Sequence, residues 1–455
     1  MFATTSKPSR HGHSNAPQNF RRLCYAAIAF VCTPAFAQNG SHLIAQTNSL
    51  FGGGVPGVQV NPMLSLPAPS MVPSPSNPAQ SAPYQSAEGP WGELIGDYIY
   101  LEAPPALVDS FALPSTQSRW SFPSSSEASL PKLFADAGLS EEQVKPLISS
   151  IVREGDYVHV LPTLDFILSL PTGSRASIYT ELAKIPVNQY HADPVLIFGT
   201  SIEEWYRTSK LRPELIQKVK QLSYIRGETI AFSDIPALLN FAQTDAEARV
   251  IFKACTRTRS LMVRLLLDKE SDVPKLLSYW SFGVGIRRKD IEPIIQSIIE
   301  SDTLKDLGLS HILPAQPRKL LFTYPGLDMA KNGLLPDCHW TSLNFYNFDP
   351  HEYLLDSRLA TSKVLENYVP VEAPYQFGDI LFFLDNATGD AFHSCVYLAD
   401  TLVYTKNGRN ILSPWVLMTI DDVKKVYLFR GNGRVQGFRR KDVHEARQNA
   451  AAASR

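Results

Sequence analysis

The chain has 455 residues, with 43 Lys plus Arg against 44 Asp plus Glu, a formal net charge of −1. That balance leaves no overall field to draw in nucleic acid or an anionic surface, so neither is expected as a partner. Beyond the N-terminus nothing is long and apolar enough to span a bilayer, so no integral membrane segment is expected in the mature chain.

Residues 1–37 read as a cleavable export signal. Arg21 and Arg22 precede an apolar run from Leu23 to Val31, then Pro34 and Ala35-Phe36-Ala37, which puts small residues where a signal peptidase reads. The run is about half of the ~20 residues a membrane span needs. Cleavage before Gln38 would leave a periplasmic or secreted protein. Of the five cysteines, Cys24 and Cys32 would leave with the signal, while Cys255, Cys338 and Cys395 stay. An odd number in an oxidising compartment points to a pair between chains or a working thiol, and the spacing fits no zinc site. No metal or cofactor is expected.

Residues 38–128 are dominated by Pro, Ser, Ala, Gly, Gln and Asn, a composition that cannot bury enough apolar surface to offset the entropy of ordering. A disordered linker is expected, with Trp91, Ile95, Tyr98, Ile99, Tyr100 and Leu101 enough for one short strand or docking segment. From 129 to 312 apolar residues recur at helical spacing. Ser140-Glu141-Glu142-Gln143 is a capping box. Ser233-Asp234-Ile235-Pro236 and Ser271-Asp272-Val273-Pro274 each place a cap and then Pro in a first turn that has no need of its N–H. Amphipathic stretches follow over 213–224, 245–267 and 289–300, and the region reads as an all-α middle domain. It gathers no acids, bases or nucleophile at useful spacing, and Cys255 reads as a buried small hydrophobe.

A second domain is expected over 313–437. Leu320 to Tyr324 suggests a strand closed by Pro325-Gly326. Pro336-Asp337-Cys338-His339-Trp340 then opens a helix that Asp337 can cap. A cysteine in the first turn feels the positive end of the helix, which favours thiolate. Gln376-Phe377-Gly378-Asp379 turns into the apolar run Ile380 to Leu384, the pattern of a strand buried on both faces. Ala391 to Leu398 alternates so that His393, Cys395 and Tyr397 share one face. The chain returns through Leu402 to Thr405 and ends in Lys406-Asn407-Gly408. Residues 438–455 read as a tail that is a frayed helix or disordered.

A cysteine at a helix start, then a histidine on a strand, then a polar residue on the next strand or its turn resembles the NlpC-like cell-wall cysteine peptidases, a permuted branch of the papain-like fold. The likeness covers roughly residues 320–430 and rests on Asp337-Cys338, Phe377 to Phe383 and His393 to Leu398. It implies an α+β fold with a helix packed on an antiparallel sheet. It also implies that Cys338 attacks an amide carbonyl while His393 takes its proton and later returns one. Asn407 is the first choice for the group that orients the imidazole, with Lys406 and Thr405 as alternatives. The N–H of Cys338, at the start that Asp337 caps, would help hold the oxyanion.

The expected substrate is a peptide, most plausibly the peptidoglycan stem peptide. The family usually has Ser-Gly after the cysteine and Val-Gly after the histidine, where this chain has His339-Trp340 and Ser394-Cys395. His339 and Trp340 would then form a cleft wall that narrows or blocks the site. Cys395, ~6.5 Å along the strand from His393, raises a disulfide to Cys338 that would silence it. The alternatives are a catalytically inactive papain-fold protein acting as a periplasmic binder or scaffold, and an acyltransferase using the same Cys338 and His393.

Overall fold

A computed structural model describes residues 81–281 and 288–453. The expected signal peptide, and the expected linker up to residue 80, lie outside the described residues. The rest of that linker is built into the fold. Tyr84–Gln85 (β1) pairs with Glu93–Leu101 (β2), a nine-residue strand with Leu94 fully buried. The apolar run from Trp91 to Leu101, expected to give one short strand or docking segment, is this strand, and the surrounding Pro and Ser hid only that the segment belongs to the fold.

The region expected to be all-α is mixed. Trp120–Pro123 (β3), Val152–Glu154 (β4) and Tyr157–Val160 (β5) form a sheet in the order β3-β5-β4. Val195–Ile197 (β6), Tyr224–Arg226 (β7) and Thr229–Phe232 (β8) form another in the order β6-β8-β7. The two hairpins turn through Gly155-Asp156 and Gly227-Glu228, with φ of 57° and 59° at the glycines. A two-residue hairpin turn needs that left-handed residue to match the strand twist. Thr258–Leu266 (β9) and Asp306–Gly308 (β10) complete the sheet β1-β2-β9-β10.

These strands were missed for two reasons. Those of three or four residues are too short for alternation to register. The stretch 245–267 joins two elements, the helix Asp245–Cys255 and then β9, which buries Leu261, Val263 and Leu265 and exposes Met262. Helix starts were legible. The amide N–H of Ser140 donates to Gln143 Oε1 at 3.0 Å, and Asp272 Oδ1 accepts from Lys275 N at 3.0 Å.

Inside this region Arg175, with no exposed surface, donates to Asp234, whose other oxygen accepts from Tyr179 Oη at 2.5 Å. The guanidinium also donates to the Ile167 and Leu170 carbonyls. The network ties the helix Thr172–Leu182 to the start of the helix Ile235–Leu239.

The C-terminal sheet contains Tyr368–Val371 (β11), Ile380–Asp385 (β12), Ala391–Ala399 (β13), Leu402–Lys406 (β14), Trp415–Thr419 (β15) and Gly433–Arg440 (β16). Its order is β11-β16-β12-β13-β14-β15, antiparallel throughout. β12 is apolar on both faces because both are covered. Phe382 joins the core with Trp340, Leu343 and Tyr404, while Phe383 joins a second cluster with Cys395, Val403 and Val423. The helix Cys338–Leu343 packs on the first face and Ile420–Tyr427 on the second.

The turn before β12 requires its glycine. Gly378 has φ 87°, and a Cβ there would lie 1.7 Å from Tyr346 Oη. Asp379 accepts from Gln376 N at 2.8 Å and takes two bonds of 2.7 Å from Arg439 on β16.

Two further expectations change. Leu320 to Tyr324 is not a strand, since the helix Ala315–Leu320 is followed by a single bridge, Leu321 to Trp415. The tail expected to be a frayed helix or disordered begins with the end of β16 and continues as the helix Lys441–Ala453. Arg439 reads as a tail charge in sequence but is needed to pair Asp379. The first core passes over the expected 312/313 boundary without a break, and Tyr279 Oη donates to Leu398 O at 2.6 Å across it. The described residues are 42% helix and 23% strand, an α+β fold. Among them no helix is long and apolar enough to cross a membrane.

Candidate functional site

Cys338 begins its helix because Asp337 caps it. The carboxylate accepts from Trp340 N at 2.8 Å and pairs through its other oxygen with Arg409 Nη2 at 2.9 Å. Thr341 Oγ1 donates to Asp337 O at 2.7 Å and accepts from Trp415 Nε1 at 3.0 Å, which fixes the helix start against β15. The helix is only six residues long, and all six are buried. It packs against β13 and β14.

That orientation corrects the expected cleft wall. His339 shares a 3.0 Å bond with Ser394 Oγ and stacks on Phe382 at 5.9 Å, while Trp340 sits in the apolar core, 3% exposed. Neither residue borders an open groove. Burial pushes His339 down to about 4.

His393 lies on β13, and neighbouring residues of a strand point to opposite faces. Ser394 faces the cysteine helix, with its Oγ 3.2 Å from Cys338 O and 3.0 Å from Ser342 Oγ. The imidazole of His393 occupies the other face. Tyr427 covers it face to face at 3.7 Å, and Phe383 meets it edge-on at 5.3 Å. Its Nε2 shares a 3.2 Å bond with Thr405 Oγ1, and its Nδ1 is buried without a hydrogen-bond partner. Burial, with His339 adding to it, holds the ring well below the usual histidine range. Burial therefore favours the neutral form of the ring. Cys395 and Tyr427, both on the imidazole's side, lie within the electrostatic reach of Cys338.

Of the three candidates for orienting the imidazole, Thr405 is the one in place. Asn407, the first choice, points to Met418 instead, with Nδ2 3.5 Å from Sδ and Oδ1 buried without a partner. Thr405 shares the face of Cys395 and His393, while Asn407, two residues on, lies just beyond the end of β14, where strand geometry no longer fixes its direction. Lys406 points the other way, to the face of the cysteine helix. It has no exposed surface, and its Nζ donates to Gly408 O and Asn410 O at 2.8 Å each. Burial pushes it down to about 7, against the pull of Asp337 and Cys338.

Sequence reasoning weighed Lys406 only as a partner for the histidine. Arg409, which holds the cap, went unnoticed, and the signal for it was a cation three residues after Lys406 in a turn expected to stay near the site.

Cys255, Cys338 and Cys395 form no disulfide with one another. Burial pushes Cys255 up to about 12, and burial together with Cys338 pushes Cys395 up further. Among the described residues no group of three or more His, Cys, Asp or Glu side chains stands ready to hold a metal. Compared with family models, with curated proteins and with solved structures, the chain finds no match in any of the three.

Proposed function

We propose that this chain is an exported cysteine hydrolase that cleaves an amide bond, with peptidoglycan stem peptides as the substrate class. Cys338 is the attacking sulfur and His393, oriented by Thr405, is the base of the reaction. One observation carries the reading: Asp337, Cys338, His339, His393, Thr405 and Lys406 are all buried, on the two faces of one part of the sheet, yet His393 Nδ1 has no partner. Burying so many polar groups costs stability, and leaving one unsatisfied costs about 1–3 kcal/mol more. Proteins keep such clusters mainly where they do chemistry. Donation from Nε2–H to Thr405 leaves the lone pair at Nδ1, the form a general base needs. The substrate class and export follow from the family likeness and the N-terminal pattern.

A second reading is a binding or scaffold protein whose site has lost turnover. The complete burial of His393 beneath Tyr427 favours it. The two separate in one experiment, in which mature, reduced protein is incubated with purified cell wall and released muropeptides are measured. Release that disappears in Cys338→Ala supports the hydrolase. Release unchanged in that variant, or none from the folded parent, supports the binder.

A further inference from the structure

Three basic side chains are buried on this part of the sheet, and the fold treats them differently. His393 and His339 are buried and held neutral, the first on the far face of the sheet and the second bonded to Ser394. The third is Lys406. It lies one residue beyond Thr405 on β14, so it points to the face on which the cysteine helix packs. Tyr404 has the same orientation and meets Phe345, just past that helix, at a ring distance of 5.9 Å. The Nζ of Lys406 lies 5.8 Å from the Trp415 ring, whose Nε1 bonds Thr341 one turn along from Cys338.

Charge balance completes the case. The groups acting on Lys406 are Asp337 and Cys338 from the helix start and Arg409 from the loop after β14. Asp337 already pairs with Arg409. A protonated Lys406 therefore adds one buried positive charge that no carboxylate balances, and an unbalanced buried charge is costly. Two carbonyl oxygens, Gly408 O and Asn410 O, solvate the ammonium without neutralising it. The remaining acid acting on it is the thiol.

We propose that Lys406 is the counter-ion of a Cys338 thiolate. The S–H bond breaks, Nζ gains the proton, and the site's net charge does not change. Thiolate and ammonium form together because each removes the penalty of burying the other. Lys406 is thus a positioning residue that sets the resting charge of the sulfur and leaves His393 neutral for proton movements after attack. The proposal rests on Cys338 being the reactive sulfur, but it is read without any substrate. Loss of hydrolysis and loss of the ion pair are therefore separate outcomes.

The test is the pH dependence of alkylation at Cys338 by iodoacetamide, resolved from Cys255 and Cys395 by peptide mass. In the native parent chain the midpoint should fall below the ~8.5 of a free thiol. The same peptide in urea-unfolded chain should return to that value. Lys406→Met should raise the native midpoint by at least one unit, which is tenfold or more in thiolate fraction at neutral pH, while His393→Gln leaves it within a few tenths of a unit. Thermal melts confirm that each variant is folded.

If Lys406→Met does not fold, the parent chain decides alone, because burial without a counter-ion would push the midpoint above the free-thiol value. A native midpoint above ~8.5, no alkylation short of unfolding, or a shift produced by His393→Gln instead of Lys406→Met overturns the proposal.

Discussion

Mild acid should destabilise this chain through imidazoles that fold in their neutral form. His393, His339 and His191 are 0%, 5% and 7% exposed, and burial is the leading cause of each depression. His339 is pushed down to about 4 and His191 to about 3, against roughly 6.5 in an unfolded chain. Because the folded value lies below the unfolded one, the unfolded state binds the extra proton between them. The stabilisation is therefore present in full above about pH 6.5 and is lost as pH falls toward the folded value. Between pH 8 and pH 5 each such group loses roughly 1.5 units at 1.36 kcal/mol per unit, about 2 kcal/mol.

Three together lose about 6 kcal/mol, a large part of the 5–15 kcal/mol a domain holds. Asp193 and Asp234, whose folded values are raised by burial, act in the opposite sense. The clean readout is thus a difference between two proteins. Urea unfolding followed by circular dichroism at pH 8, 7, 6 and 5 should show that His339→Gln reduces the acid loss by about 2 kcal/mol relative to the parent. Equal losses in parent and variant, or a parent as stable at pH 5 as at pH 8, would refute the reasoning.

The buried pair in the middle region should be fragile to single changes. Arg175→Met strands Asp234 and should cost about 3–5 kcal/mol in urea unfolding, whereas the double change with Asp234→Leu should recover much of it. Asp337→Ala removes a cap and the partner of Arg409 and should cost about 1–2 kcal/mol of stability, together with any hydrolytic activity. Thr405→Val should lower muropeptide release at unchanged melting temperature, while Asn407→Ala leaves release near the parent level. The reverse ranking would restore Asn407 as the orienting group.

Much of the C-terminal sheet was legible because its signals are local. Phe377-Gly378-Asp379 needs a left-handed glycine, Ile380 to Leu384 needs cover on both faces, and Asp337 before Cys338 announces a helix start. Two-residue alternation also predicted that His393 and Cys395 share a face. What it did not reveal is which face the cysteine helix covers. That depends on Ser394, a single hydroxyl that meets Cys338, His339 and Ser342.

Long-range pairing was hidden for a similar reason. β2 and β9 pair along their whole length although 157 positions separate Leu101 from Thr258. Neither strand declares its partner. Arg439 and Asp379 were likewise read as a tail charge and a turn residue, and only the β12–β16 pairing brings them together.

The account depends most on the sulfur of Cys338 becoming acylated. Reduced, folded protein should be mixed with peptidoglycan fragments, quenched in acid within seconds and digested for mass analysis. A thioester adduct confined to the Cys338 peptide, and missing from Cys338→Ala, is the predicted result. Fragments cleaved with no adduct on that peptide, or cleaved equally by Cys338→Ala, would contradict it.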